Sequence, residues 1–104
     1  MKRLFAAIAF LPVLASCTTY KTWSEYGGGK EEGVIQLSYE YGRYENPQVD
    51  ERAGIQTARE RCRDWGYKDA VRKGEDRQCI DGQTSDCSRW RVIREYRCLA
   101  QPAN

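Results

Sequence analysis

The sequence predicts a small α+β domain: a three-stranded antiparallel sheet in the order 1-3-2, one helix packed on one face, the whole stapled by disulfides. Three observations carry this. Residues 35–41 and 90–98 alternate apolar and polar side chains, the period of a half-buried strand. Residues 50–65 instead repeat their apolar side chains at steps of three and four, the period of a helix buried on one side. Cys62, Cys79, Cys87 and Cys98 make an even set, which in an exported chain forms a disulfide framework.

Export is read from the first residues. Lys2 and Arg3 precede an apolar run over residues 4–14, broken only by Pro12, which together make a signal peptide of residues 1–16. The run is about half of the roughly 20 residues that a membrane-spanning helix requires. Leu14, Ala15, Ser16 and Cys17 then resemble the lipobox of bacterial lipoproteins, whose cysteine is acylated and becomes the first residue of the mature chain. The resemblance implies a covalent acyl and diacylglycerol lipid on Cys17. Thr18, in place of an aspartate, implies sorting to the outer membrane, with the domain on the periplasmic face. Residues 17–32 are expected as the lipidated N-terminus and a flexible tether, because Gly27, Gly28 and Gly29 lie in a polar stretch without helical or alternating period. The glycines are followed by no Lys-Ser or Lys-Thr at phosphate-loop spacing. Trp23 and Tyr26 can either meet the membrane interface or fold back on the domain.

The globular domain is expected over residues 33–100. Its first strand sets Ile35, Leu37, Tyr39 and Tyr41 against Gln36, Ser38 and Glu40, and Gly42 ends or bulges it. Residues 45–48 are expected as a turn, since Pro47 biases Asn46 away from helix. The helix starts near Asp50, whose carboxylate suits a cap, while Glu51 suits the positive end of the macrodipole. Ile55, Ala58, Cys62 and Trp65 share its inward face, and Gly66 stands at a left-handed C-cap. Gly54 would cost about 1 kcal/mol relative to alanine in a helix interior and is expected close to the start. Residues 68–79 read as an edge strand whose charges discourage pairing with another chain. A loop over residues 81–86 leads to the last strand, with Trp90, Val92, Tyr96 and Cys98 inward. Arg94 breaks that apolar face, and Ile93 breaks the polar one. A right-handed crossover makes the first two strands parallel and lets the third return between them.

Four cysteines allow three pairings. Cys62 and Cys98 both face inward and Cys79 and Cys87 flank one loop, so the faces favour Cys62–Cys98 and Cys79–Cys87. A redox pair would need C-x-x-C or a thiol at a helix N-terminus, and Cys62 lies near the C-terminus, where the macrodipole disfavours a thiolate. With no histidine and no C-x-x-C, no metal site is expected. The 17 Lys and Arg against 15 Asp and Glu become 15 against 15 once Lys2 and Arg3 leave, so no basic surplus remains for nucleic acid. Asp50 and Glu51 are adjacent on a helix start and point in different directions, which weakens a cell-wall hydrolase, and the cysteines weaken a thiol oxidoreductase. These enzymes and a peptidoglycan-binding module stand as alternatives to the favoured reading. That reading is an outer-membrane lipoprotein presenting a non-catalytic accessory domain, with no catalytic residue and no cofactor beyond the lipid on Cys17. Its partners are expected to be the membrane, through the anchor, and an envelope protein or peptidoglycan. Trp65, Trp90, Tyr39, Tyr41 and Tyr96 are read as core; Tyr44 and Tyr67, with Arg91 and Arg97, are candidates for an exposed contact surface.

The segments LSYEYGRYENPQVD and ARERCRDWGY, then Cys87-Ser88-Arg89-Trp90 and Tyr96-Arg97-Cys98, together resemble the YecR-like lipoprotein family. The resemblance runs over residues 33–99. Its most specific part is Arg61, Cys62, Trp65, Gly66 and Tyr67, and residues 68–78 depart from it in being more charged. It implies a small cell-envelope lipoprotein and brings with it no catalytic residue and no substrate.

Overall fold

In chain order the elements are β1 (Cys17–Lys21), β2 (Ser24–Gly29), β3 (Val34–Gly42), β4 (Glu45–Val49), α1 (Glu51–Asp64), β5 (Asp69–Gln83) and β6 (Asp86–Leu99). The structure is a computed structural model that describes residues 17–103, so the signal peptide expected over residues 1–16 lies outside the described residues. Four strands form an antiparallel sheet in the order β2-β3-β6-β5, and β1 pairs with β4 in a separate parallel sheet. The expected fold class, one three-stranded sheet with a helix, is therefore corrected: among the described residues six strands lie in two sheets and the domain is mostly β.

The extra strands come from segments whose sequence hides them. Residues 24–29 lack the apolar alternation of a half-buried strand, yet Gly27, Gly28 and Gly29 pair with Gln36, Ile35 and Val34 across the edge of β3. An edge strand can be held by backbone hydrogen bonds alone, and the glycines let it approach closely. At Gly28, with φ of 100°, an added Cβ would lie 2.1 Å from the Val34 carbonyl oxygen. The expected tether over residues 17–32 thus holds two strands. Residues 45–48, expected as a turn, belong to β4 instead. The restriction that Pro47 places on Asn46 favours extended backbone, which serves a strand as well as a turn.

The expected loop over residues 81–86 also contracts, because β5 and β6 continue as a hairpin to the pair Gln83–Asp86. Register shifts after Arg72 and on either side of Asp81 interrupt its ladder. β6 pairs with β3 from Arg97–Val34 to Arg89–Gly42, which makes it the strand between β3 and β5.

α1 begins and ends as its sequence dictates. The Asp50 carboxylate accepts from the N–H groups of Arg52 (2.9 Å) and Ala53 (3.1 Å). At the other end the N–H of Tyr67 reaches the Cys62 carbonyl and that of Gly66 the Arg63 carbonyl, a Schellman closure with Gly66 at φ of 96°. The helix buries Gly54, Ala58 and Cys62. Ile35, Leu37, Ala70, Tyr96 and Cys98 complete the core, with Trp23, Ile55, Trp65 and Tyr67 packed against it. Gly54 has a packing reason: a Cβ there would lie 2.8 Å from the Tyr96 hydroxyl and 2.9 Å from Trp23 Nε1.

Candidate functional site

The inward face of the sheet runs past the N-terminus of α1, and the place where the helix stops covering it is held by Arg94. That residue lies opposite Leu37 on β3 and Glu75 on β5, and only 4% of it is exposed. A guanidinium in such a position requires several acceptors. Arg94 donates through Nε and Nη2 to Glu75 Oε1, at 2.9 and 2.6 Å. Its Nη1 and Nη2 donate to the two oxygens of Glu51 on the first turn of α1. The Trp23 ring stacks on the remaining face, with its centroid 4.6 Å from Cζ. Burial pulls the Arg94 pKa down, but hydrogen bonds to Glu51, Tyr96 and Glu75 outweigh it and the net shift is upward.

Trp23 ties this joint to the chain preceding it. Its Nε1 donates to the Asp50 carbonyl at 3.0 Å, and its ring meets Tyr39 edge-on at 5.1 Å. Of the two fates open to Trp23, it takes the second and folds back on the domain. Burial and the nearby Glu75 push the Tyr39 hydroxyl pKa upward, against the pull of Arg94. Beyond Tyr39 the same sheet face continues through Tyr41 and Trp90, paired across β3 and β6, and the Arg77 guanidinium lies 4.1 Å over the Trp90 ring. Lys21, Thr22, Trp23, Asp50, Ala53 and Thr57 line a cleft of about 250 Å³ beside the joint.

The parallel ribbon of β1 and β4 carries Cys17 at its first position, opposite Glu45. Lys21 at the other end of β1 reaches back to Glu45, with Nζ 2.7 Å from Oε1, and the Gly42 N–H also donates to that carboxylate. These two hydrogen bonds, the Lys21 one first, hold the Glu45 carboxyl at about 2, down from 4.5 for a free side chain. A folded-state value lowered in this way contributes stability that is complete above the unfolded value and is lost as pH falls through the folded one. The stabilisation of the ribbon by this carboxylate is therefore expected to be complete above about 4.5 and to be lost progressively as pH falls toward about 2. In Lys21→Ala the Glu45 carboxyl should titrate closer to 4.5, which NMR of its carboxyl carbon would read; an unmoved midpoint would reject the clamp.

Cys62 is bridged to Cys98, joining α1 to β6, with Cα atoms 5.4 Å apart. Cys79 is bridged to Cys87 across the β5–β6 hairpin at 5.8 Å, where the register shifts around Asp81 bring together residues that the ladder would offset. Asp50 and Glu51 do not converge: the first caps α1 and the second holds Arg94. Among the described residues no three His, Cys, Asp or Glu side chains gather as a metal site, and no helix is long and apolar enough to cross a membrane. Of the expected contact residues, Tyr44 is exposed, whereas Tyr67 packs on the core and donates from its hydroxyl to the Lys30 carbonyl at 2.8 Å. Arg91 pairs with Glu40 and lies 5.3 Å over the Tyr26 ring, while Arg97 is exposed. Trp23 and Glu75 were not legible as partners of Arg94; the signal for them was Arg94 itself, a charge on an apolar face.

A model of the YecR-like lipoprotein family matches residues 22–99, more than half of the chain, and so spans β2 to the end of β6 while leaving β1 and Cys17 outside. No curated protein matches.

Proposed function

The chain belongs to the YecR-like lipoprotein family, and on that premise we propose that it is an outer-membrane lipoprotein, acylated at Cys17, whose periplasmic domain acts as a non-catalytic accessory or interaction module. The observation that carries the non-catalytic part is the use of the reactive groups. All four cysteines after Cys17 are in disulfides, Asp50 is a helix cap, and Glu51 neutralises a buried guanidinium. The cysteines and the acidic pair that the sequence offers for an oxidoreductase or a hydrolase are thus engaged in the fold, which supports the non-catalytic reading. Acyl chains contribute about 0.8 kcal/mol per buried methylene, so two or three of them on Cys17 would make attachment effectively permanent.

Cys17→Ser is the direct test of the anchor. The variant should lose acyl labelling and leave the membrane fraction while both disulfides remain, as mass mapping without reductant would read. Retained labelling would reject Cys17 as the acylated residue. Insulin reduction or clearing of peptidoglycan by the purified protein would reject the non-catalytic reading.

A further inference from the structure

We propose that the β1–β4 ribbon lies on the membrane that holds the acylated Cys17, with Tyr20 and Tyr44 seated among the lipid headgroups, so that the domain is docked on the bilayer instead of being held off it by a tether. The proposal rests on the reading of Cys17 as the anchor.

The register leaves little slack between anchor and domain. β1 starts at Cys17 itself, and Cys17 pairs with Glu45, the residue after Tyr44. Neighbouring strands lie about 4.8 Å apart, so the backbone of Tyr44 stays close to the anchor however the domain tilts. Tyr20 stands three positions along β1, about 10 Å at the usual rise of a parallel strand. The headgroup layer on each side of a bilayer is roughly 5 to 8 Å deep, which is the scale of these separations.

The side chains suit that layer. Tyr20 and Tyr44 are 86% and 77% exposed, against 44% for Tyr26, the third exposed large apolar side chain among the described residues. Tyrosine joins an apolar ring to a polar tip and concentrates at the boundary between lipid and water. Charge does not oppose the approach. Lys21 and Glu45, at opposite ends of β1 and β4, neutralise each other, and the other exposed ribbon residues, Thr18, Asn46 and Gln48, are uncharged. The ribbon is also fixed to the sheet, since Trp23, two residues after β1, is bound to Asp50 and stacked on Arg94. A surface held this close to a permanent anchor gains from an effective concentration that a free domain lacks.

Hydroxyl-radical footprinting reads the proposal with the residues already present. The acylated full-length protein is reconstituted in vesicles of phosphatidylethanolamine and phosphatidylglycerol and compared with the Cys17→Ser protein in solution. Oxidation of Tyr20 and Tyr44 is expected to fall about threefold as the headgroups exclude water from their rings, while Tyr26 is unchanged. Unchanged oxidation at Tyr20 and Tyr44, in a protein whose intact mass carries the lipid, overturns the docking and leaves the anchor standing. An intact mass without lipid removes both. An equal fall at Tyr26 overturns the assignment to the ribbon.

Discussion

Replacing Cys62 and Cys98 together with alanine is expected to lower stability by about 4 kcal/mol, and replacing Cys79 and Cys87 by about 2.5 kcal/mol. The difference follows from the chain enclosed, since the first bridge joins residues 36 apart and the second residues 8 apart. A longer closed loop removes more freedom from the unfolded chain. Location acts in the same direction. Cys62 is fully buried and Cys98 nearly so, between α1 and the strand that lies between β3 and β5, whereas Cys79 is partly exposed on a hairpin that its own ladder already closes. A core of this size supplies only about 3 to 5 kcal/mol, so the Cys62–Cys98 bridge contributes about as much as the core itself. Denaturant titration of both double variants checks the order; a larger loss at Cys79 and Cys87 would reverse the account.

The parts legible in the sequence are those where side chains declare their burial. Ile35, Leu37 and Tyr39 alternate because β3 has one covered face, and Ala58, Cys62 and Trp65 repeat at helical steps because α1 has one too. Asp50 and Gly66 signalled the helix ends through their own chemistry. β1, β2 and β4 were illegible for a shared reason: none is covered by a layer that would impose an apolar period. β2 is an edge of glycines held by its backbone, and β1 with β4 is a two-stranded ribbon whose exposed positions are polar or tyrosine. The sheet was thus underestimated by the strands that need no apolar pattern. In the candidate site the misplaced element was Trp23, whose polar and glycine-rich surroundings look like linker, although its ring completes the packing around Arg94 and Gly54.

Stranding Arg94 should cost more than removing it. The guanidinium cannot shed its proton, so a buried arginine without acceptors remains a buried charge. In the variant carrying both Glu51→Ala and Glu75→Ala, Arg94 loses both carboxylates while β6 still fixes it beneath Trp23, and a loss of about 3 to 5 kcal/mol is expected. Arg94→Met keeps most of the volume and introduces no charge. The carboxylates it leaves behind stay hydrated, since the side chains of Glu51 and Glu75 are 62% and 36% exposed. Its cost is therefore expected to remain within about 1.5 kcal/mol, as for other volume-conserving exchanges. Adding Arg94→Met to the double glutamate variant should restore most of the loss, and that recovery distinguishes an unpaired charge from missing side-chain contacts. Denaturant titration of the three variants reads the cycle; no recovery in the triple variant would mean that Glu51 and Glu75 stabilise the domain by some route other than neutralising Arg94. The consequence reaches β1, because Arg94 is where α1, β5, β6 and Trp23 meet. With Arg94 stranded, Trp23 should be the first group to leave the sheet, and the ribbon bearing Cys17 would lose its fixed orientation to the domain.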